Sequence, residues 1–557
     1  MVKKSVMLLT ATAFAVGLSS AQAADSYSSV TSDRLKSPEA RNWLHWRGNY
    51  EGWGYSPLDQ IDTENVADLE VAWTISSGVN QGHEAAPIVN DGMMFVTAAY
   101  NKLYAMDAAT GELIWDYERQ LPDDVAVCCD VVNRGVAVHG DTIYMGTLDA
   151  HLIAFDAESG KIKWDITVDN YKKRYAISSA PLVVDDKIIV GVHGGEYGVR
   201  GYVGAYDAET GAEVWKAHTA VDDGSWPGDT HETGGAAPWL TGTYDQDTHT
   251  VYWGTGNPSP WIDPARGEDH DLHHSVSVIA IDPDNGEISD AYQYSPSDAW
   301  DFDGTNEPVL IDIDGQPSIA SPQRNGWLYR LDRDEGEVSF VNAWPYAETN
   351  IFEEVESDGR PIIDAAHRPA IGKTVDACPA FLGAKNWNPS AYDPNTGLMY
   401  VPTNEWCMKI RGAQVEYSAG APYVGAEFEM YQVPGNDHVG MLQAIDPATG
   451  ETAWSQEFTA PVWSGVLTTG GGVVFSGNLD ERKFMAFDAE NGEELWSMTT
   501  NSGVVGTPVS YSVDGEQYVA VWSGFGGAIP LWAGPVAELT NNIPMGGTLW
   551  VFKLSES

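Results

Sequence analysis

The octapeptide YAMDAATG, residues 104–111, decides the fold, because close variants of it recur along the chain. It consists of strand residues, an aspartate and a short turn that ends in glycine. Strand residues followed by a turn from Asp to Gly predict a β-hairpin. The other copies are IAFDAESG (153–160), GAYDAETG (204–211), IAIDPDNG (279–286), YRLDRDEG (329–336), SAYDPNTG (390–397), QAIDPATG (443–450) and MAFDAENG (485–492).

The spacing of these eight hairpins predicts the architecture. Successive aspartates lie 42 to 75 residues apart, close to the length of one four-stranded blade with its loops. The aspartates are Asp107, Asp156, Asp207, Asp282, Asp332, Asp393, Asp446 and Asp488. A tryptophan often follows the turn and is expected to pack between neighbouring blades. These tryptophans are Trp115, Trp164, Trp215, Trp454 and Trp496. The repeats therefore predict an all-β fold, an eight-bladed β-propeller with little helix.

The two ends of the repeat array predict a closed ring. Val71-Ala72-Trp73 is an early strand, and the segment from Thr548 to Phe552 is the last one. Pairing of these two strands within one blade would seal the ring. The longer intervals before Asp282 and Asp393 predict inserted loops on the binding face.

The first residues predict export. Lys3 and Lys4 precede an apolar run from Val6 to Leu18, and Ala-Gln-Ala-Ala follows at 21–24. This order is typical of a secretory signal peptide, which we assign to residues 1–23. Residues 24–557 then form the propeller domain, in a periplasmic protein. The apolar run is too short to span a bilayer and no later run approaches that length, so no membrane span is expected.

Charge restricts the partners. The chain of 557 residues carries 30 Lys and Arg against 80 Asp and Glu, a formal net charge of −50. This charge argues against binding to nucleic acid or to an anionic membrane and favours cationic partners. The acidic residues are spread along the chain, as on a charged surface.

Four cysteines have several possible pairings in an oxidising compartment. They are Cys128, Cys129, Cys378 and Cys407. Adjacent cysteines rarely bond to each other, because the ring they form is strained. From spacing alone, two separate thiols, or bonds from Cys128 and Cys129 to the distant pair, are alternatives to a vicinal bond. The chain contains no C-x-x-C-H motif, so no covalently attached haem is expected.

The segment CCDVVNRG, residues 128–135, resembles the C-C-D-x-V-N-R-G motif of the quinoprotein alcohol dehydrogenases. At least six separate motifs resemble those of this family and occur in the same order. They extend along nearly the whole mature chain, from WRGNY at 46–50 to the final strand. The resemblance implies that Cys128 and Cys129 form a vicinal disulfide against pyrroloquinoline quinone (PQQ). Cys378 and Cys407 are then free to bond to each other across one blade. That bond would close a 29-residue loop and contribute about 3 kcal/mol.

The segment AWDFDGTNEP, residues 299–308, carries two acids at alternate positions. Alternate residues of an extended segment face the same side, although in a chain with 80 acids an ordinary acidic loop explains them equally well. The resemblance implies that Asp301 is the catalytic aspartate and also a metal ligand. It adds Glu196, in GGEYGVRG, and Asn257, in WGTGNPSPW, as further metal ligands.

The nature of these ligands indicates the metal. All of them are oxygen donors, which suit Ca²⁺ or a lanthanide. Calcium-dependent members of the family carry a small neutral residue at the position of Asp303, whereas lanthanide-dependent members carry an aspartate there. The resemblance therefore predicts a lanthanide of the La or Ce class with Asp303 as the extra ligand, and Ca²⁺ as the alternative.

The resemblance also implies the cofactor pocket. Trp239, in GGAAPWLTGTYD, corresponds to the tryptophan stacked on the quinone, and Arg324, in PQRNGWLYRLD, to the arginine at its reactive carbonyl. Further contacts to PQQ are expected from Glu84, Arg134, Ser178 and Asn386. His83 is expected to be structural.

The implied reaction is oxidation of a primary alcohol to an aldehyde, with Asp301 as general base and Arg324 stabilising charge on the quinone oxygen. Because the chain has no haem motif, a soluble cytochrome c is the expected electron acceptor. The segment KNWNP, residues 385–389, resembles the ethanol-type branch of the family more than the methanol-type branch, which implies small primary alcohols with methanol a poor substrate. Two alternatives are a calcium-dependent or methanol-preferring member and a non-catalytic periplasmic propeller scaffold. The sequence is compatible with a homodimer.

Overall fold

A computed structural model describes residues 27–262, 266 and 270–555, so the predicted signal peptide lies outside the described residues. As predicted, helix is scarce in the described part. Two α-helices are found, Ser32–Lys36 and Ala528–Trp532. The 3₁₀ turns are Val66–Asp68, Ala99–Asn101, Tyr171–Lys173, Gly195–Tyr197, Thr230–Thr233, Asp334–Gly336 and Gly534–Thr540. Within the described ranges, no helix has the length and apolar character needed to cross a membrane.

Five antiparallel four-stranded sheets follow one another from residue 88 to residue 345. The first contains Ile88–Asn90, Met93–Ala98, Lys102–Asp107 and Leu113–Glu118. The second contains Ala137–His139, Thr142–Gly146, His151–Asp156 and Ile162–Thr167. The third contains Leu182–Val184, Lys187–Gly191, Tyr202–Asp207 and Glu213–His218. The fourth contains Thr243–Asp245, Thr250–Gly254, Ser277–Ile281 and Ile288–Gln293, and the fifth Val309–Ile313, Gln316–Pro322, Trp327–Asp332 and Ser339–Pro345.

Three further large sheets complete the described chain. The sixth contains Ala391–Asp393, Leu398–Asn404, Gly440–Ile445 and Thr452–Phe458. The seventh contains Leu467–Thr469, Val473–Gly477, Lys483–Asp488 and Glu494–Thr499, with Tyr55–Ser56 added in parallel. The eighth contains Val509–Val513, Glu516–Ser523, Thr548–Leu554 and Leu69–Ser76.

Two small sheets are inserted around the start of the sixth sheet. One is the hairpin Phe352–Val355 and Pro361–Ile363. The other, which we call the insert sheet, contains Thr374–Ala377, Trp406–Gly412 and Ala426–Gln432. The disulfide between Cys378 and Cys407 lies in the insert sheet, with an S–S distance of 2.02 Å. The pairing follows the prediction, but the bond joins neighbouring strands of an insertion instead of crossing a blade.

The two ends of the described chain meet in the eighth sheet. Leu69–Ser76 pairs antiparallel with Thr548–Leu554, so that Val71 lies opposite Phe552. The predicted pairing of the two terminal strands within one sheet is therefore observed.

The repeated octapeptide forms the turn between the third and fourth strands in seven of the eight sheets. In the second sheet, for example, Oδ1 of Asp156 accepts a hydrogen bond of 3.0 Å from the amide of Ser159. Such a side-chain acceptor stabilises the turn. Asp393 is the exception, because it ends the first strand of the sixth sheet. In that sheet, the copy with Asp446 forms the turn after the third strand. The eighth sheet has no copy, since its fourth strand comes from the other end of the chain.

The tryptophans of the fourth strands pack against the next sheet, as predicted from their spacing. Nε1 of Trp115 donates a hydrogen bond of 2.9 Å to the carbonyl of Ala157 in the next repeat turn. A Cβ atom on Gly160 would lie 2.6 Å from the same indole, and the φ of Gly160 is +67°, so this position requires glycine. The same indole-to-turn bond links Trp73 to Ala108, Trp164 to Ala208, Trp215 to Pro283 and Trp454 to Ala489.

Candidate active site

The loops on one side of the sheets enclose a cavity of about 870 Å³, a volume that includes its open mouth. Ten of the twelve residues singled out from the sequence line it. They are Glu84, Cys128, Cys129, Arg134, Glu196, Trp239, Asp301, Asp303, Arg324 and Asn386. The other two, Ser178 and Asn257, each bond to a lining residue. The long connections before Asp282 and Asp393 supply Trp239 and Asn386, as the prediction of inserted loops requires.

Asp301 and Asp303 reach the cavity from the connection between Ile288–Gln293 and Val309–Ile313. The backbone of Asp301 is left-handed, with φ of +65°, a conformation that persists only where its surroundings enforce it. Oδ2 of Asp298 holds this backbone conformation by accepting hydrogen bonds of 2.9 to 3.2 Å from the amides of Trp300, Asp301 and Phe302. Asp298 was not predicted, since an anchoring carboxylate has no signature among so many acids.

Glu196 and Asn257 approach from the neighbouring blade loops. Glu196 lies in the turn Gly195–Tyr197, and its carbonyl accepts the amide of Tyr423 at 2.7 Å. The amide of Asn257 donates to Oδ1 of Asp303 at 2.8 Å. We call Glu196, Asp301 and Asp303 the acid cluster.

The acid cluster contains more carboxylates than neighbouring cations. Arg324 is its cation, with Nη2 at 2.6 Å from Oδ2 of Asp303. Oε2 of Glu196 and Oδ1 of Asp301 are buried and accept no hydrogen bond within the described residues. Burial and the neighbouring Asp303 raise the pKa of Glu196 to about 7 and the pKa of Asp301 well above its usual range. Three carboxylates facing one guanidinium are the electrostatic setting of a cation site.

Two guanidinium groups and a tryptophan form the inner part of the cavity. Arg134 bonds to Glu84 at 2.8 Å and donates to Oγ of Ser178 at 3.1 Å. Its guanidinium lies 5.1 Å from the Trp239 ring, and that of Arg324 lies 5.6 Å from the same ring. A flat, anionic cofactor suits an indole face flanked by two arginines.

Trp387 and His193 line the cavity but were not predicted. Trp387 follows Asn386, and the Arg134 guanidinium lies 5.2 Å from its ring. Its only signal was its place beside Asn386, in a chain with 22 tryptophans. Burial and the charge of Arg134 lower the pKa of His193 to about 3. A ring nitrogen of His193, a carboxylate oxygen of Glu196 and the sulfur of Cys128 lie within 4.8 Å of one another.

The sulfur of Cys128 is bonded to that of Cys129, so it offers no thiolate to a metal. Cys129 and Asp130 both have left-handed backbones, with φ of +69° and +79°. Oδ2 of Asp130 accepts the amide of Gly527 at 3.0 Å and ties this turn to the far end of the chain. The disulfide implied by the family resemblance is thus present and forms part of the cavity wall.

Four aromatic side chains lie together on another part of the cavity lining, and we call them the aromatic wall. They are Trp261, Phe381, Phe428 and Trp532. Phe428 stands at their centre, with ring centroids 4.5 Å from Phe381, 5.5 Å from Trp261 and 6.4 Å from Trp532. The cavity therefore has a charged inner part and an apolar part.

Comparison with known proteins identifies the family. Residues 43–375 and 436–519 match the model of the PQQ-dependent glucose/ethanol/alcohol dehydrogenase β-propeller domain. The chain belongs to the quinoprotein alcohol dehydrogenases. This PQQ-dependent alcohol dehydrogenase is 43% identical to the quinoprotein alcohol dehydrogenase PedH of Pseudomonas putida, over 90% of this chain and 89% of that protein.

Both the sequence comparison and the structure comparison find a lanthanide-containing methanol dehydrogenase among the relatives. It is 39% identical to the lanthanide-dependent methanol dehydrogenase of Methylacidiphilum fumariolicum, over 91% of this chain and 87% of that protein. The solved structure of a europium-containing methanol dehydrogenase superposes with a TM-score of 0.89 at 37% identity, over 94% of this chain and 99% of that one. Family membership makes this chain an enzyme of alcohol oxidation and leaves the scaffold alternative without support.

Proposed function

We propose that this quinoprotein oxidises small primary alcohols to aldehydes with PQQ and a lanthanide ion. The observation that carries the metal assignment is the acid cluster, in which a third carboxylate, Asp303, joins Glu196 and Asp301. With all three carboxylates ionised, one guanidinium leaves two negative charges unbalanced, and a trivalent ion balances them better than Ca²⁺ does. The lanthanide enzymes among the relatives support the same assignment.

The residues present fit both groups. Glu196, Asp301 and Asp303 would bind the ion, together with the side-chain oxygen of Asn257. Arg134, Arg324 and Trp239 would hold the carboxylates and the flat rings of PQQ, with Glu84, Ser178 and Asn386 around them. When bound, PQQ supplies the two-electron acceptor and the ion supplies Lewis acidity.

Asp301 is suited to take the proton of the alcohol hydroxyl. Its Oδ1 is free of hydrogen-bond donors within the described residues, while its backbone is anchored by Asp298. A fixed carboxylate with a free oxygen is the arrangement required of a general base. Arg324 is held by the carbonyls of Asp301 and Phe381 at 3.3 and 3.0 Å, which places its charge where negative charge develops.

We propose that an external soluble cytochrome c accepts the electrons and that the enzyme is located in the periplasm. Support for the acceptor is the lack of a haem motif and the net charge of −50, which attracts a basic partner. Support for the compartment is the signal-like sequence of residues 1–23.

We also propose that the eight large sheets form a closed ring of eight blades. Trp115, Trp164 and Trp215 join the first four sheets in order, and Trp454 joins the sixth to the seventh. Trp73, on the eighth sheet, bonds back to Ala108 at the first repeat turn.

The absorbance spectrum, metal content and product of the purified enzyme test the proposed function. We expect a quinone absorbance band, close to one lanthanide ion per chain and acetaldehyde from ethanol when cells are grown with a lanthanide. A preparation that oxidises ethanol while holding Ca²⁺ in preference to an available lanthanide would refute the metal assignment. The family would stand in that case.

A further inference from the structure

His193 adjoins the acid cluster but has no part in the proposed reaction. It follows the strand Lys187–Gly191, and its amide donates to the carbonyl of Ala176 at 2.9 Å. The residue is only 6% exposed, and its ring lies 6.1 Å from that of Trp239. A polar ring so enclosed is costly unless its nitrogens find partners.

Two neighbouring side chains each have a buried polar atom without a hydrogen-bond partner at this point. Nδ1 of His193 is buried without a hydrogen-bond partner in the described structure, and so is Oε2 of Glu196. A ring nitrogen of His193 and a carboxylate oxygen of Glu196 lie within 4.8 Å of each other. A neutral imidazole donates from one ring nitrogen and a carboxylate accepts, so a hydrogen bond between them would satisfy both residues.

We propose that His193 is a positioning residue for Glu196, donating a ring N–H to one carboxylate oxygen so that the other oxygen is oriented toward the metal ion. The role rests on the proposed function, because it has meaning only if Glu196 is a ligand. Residues that hydrogen-bond to metal ligands fix the orientation of those ligands and raise metal affinity.

Direct ligation by His193 is the weaker alternative. Lanthanide ions and Ca²⁺ take oxygen ligands, which the acid cluster and Asn257 already supply. Cys128 does not compete for the imidazole as a thiolate, since its sulfur is bonded to Cys129.

Three substitutions separate hydrogen bonding from packing. His193→Asn keeps an N–H donor, His193→Phe keeps a ring without a donor, and His193→Ala removes both. We expect metal-free, PQQ-loaded His193→Asn to bind La³⁺ within about threefold of wild type in equilibrium dialysis. The Phe and Ala variants should lose about tenfold or more in affinity. Quinone absorbance should stay at the wild-type level in all three, because the role is directed to the metal ligand.

The controls keep the outcome interpretable. His218→Phe changes a histidine outside the cavity, on the strand Glu213–His218, and should leave La³⁺ binding unchanged. Thermal melting of the metal-free forms verifies folding. Wild-type affinity in His193→Phe, or equal losses in all three variants, would overturn the role of the N–H donor. A wild-type protein that binds no La³⁺ would instead refute the proposed metal site, and the role of His193 with it.

Discussion

Asp301 and Asp303 lie two residues apart but have different surroundings. Oδ1 of Asp301 meets no donor in the described structure, whereas Asp303 accepts from Trp239 at 3.0 Å and from the amide of Asn257 at 2.8 Å. Asp303 also pairs with Arg324. Asp301 is therefore free to exchange a proton. The carboxylate of Asp303 is instead fixed by its partners and provides a stationary negative charge.

Matched amide substitutions should separate these two roles. We expect Asp301→Asn to lower kcat by roughly 10²- to 10⁴-fold even at saturating metal, because the general base is lost. Asp303→Asn should instead weaken lanthanide binding and leave residual turnover at saturating metal. Steady-state kinetics and elemental analysis of both variants provide the measurement. Near-normal turnover by Asp301→Asn would show that another group takes the proton.

Asp303→Ala is a harsher change than Asp303→Asn. It leaves Arg324 buried without its 2.6 Å carboxylate partner, and removing one partner of a buried pair costs about 3 to 5 kcal/mol. The amide variant, which is the better probe of metal binding, keeps the shape and part of the hydrogen bonding.

Sequence reasoning named residues that lie in family motifs, and ten of them line one cavity, but it missed residues that are recognised only by their three-dimensional contacts. Asp298, Trp387 and His193 belong to the second group. The role of Asp298 is visible from the three backbone hydrogen bonds that it accepts, and that of Trp387 from its contact with Arg134. Neither contact leaves a pattern in the order of residues.

At the scale of elements, the insert sheet and the helix Ala528–Trp532 shape the apolar part of the cavity. The match to the family model leaves out residues 376–435, the range that contains Phe381 and Phe428 of the aromatic wall. Trp532 adds the rim and is 42% exposed. Because the charged inner part is formed elsewhere, we infer that this wall limits the length of the alcohol.

Phe428→Ala should widen the cavity toward longer alcohols. We expect the ratio of kcat/KM for 1-hexanol over ethanol to rise by about tenfold, since the removed ring leaves room for methylene groups. Phe340→Ala serves as the matched control, because Phe340 is a half-buried ring on the fifth sheet, stacked on Tyr292. An unchanged ratio would mean that the aromatic wall does not contact the alcohol.

The hairpin motif predicted these elements well where a turn follows the third strand. It failed at Asp393, since the same octapeptide also forms a turn between the first and second strands. The insert sheet was not predicted beyond a longer interval, because its strands pair at long range and carry no repeated phrase.

For the whole molecule, the sequence predicted an all-β chain of four-stranded sheets and the pairing of the terminal strands. The count of eight octapeptides equals the count of eight large sheets partly by coincidence, since the sixth sheet has two copies and the eighth has none. Trp115, Trp164 and Trp215 each bond to the next repeat turn, and these bonds link the first four sheets in chain order.

The dependence of turnover on the metal tests the central claim most directly. Metal-free enzyme is reconstituted with PQQ and either La³⁺, Ce³⁺ or Ca²⁺, and ethanol oxidation is followed with an artificial dye. The charge of the acid cluster predicts full activity with La³⁺ or Ce³⁺ and much less with Ca²⁺. Equal activity with Ca²⁺ alone would contradict the lanthanide assignment.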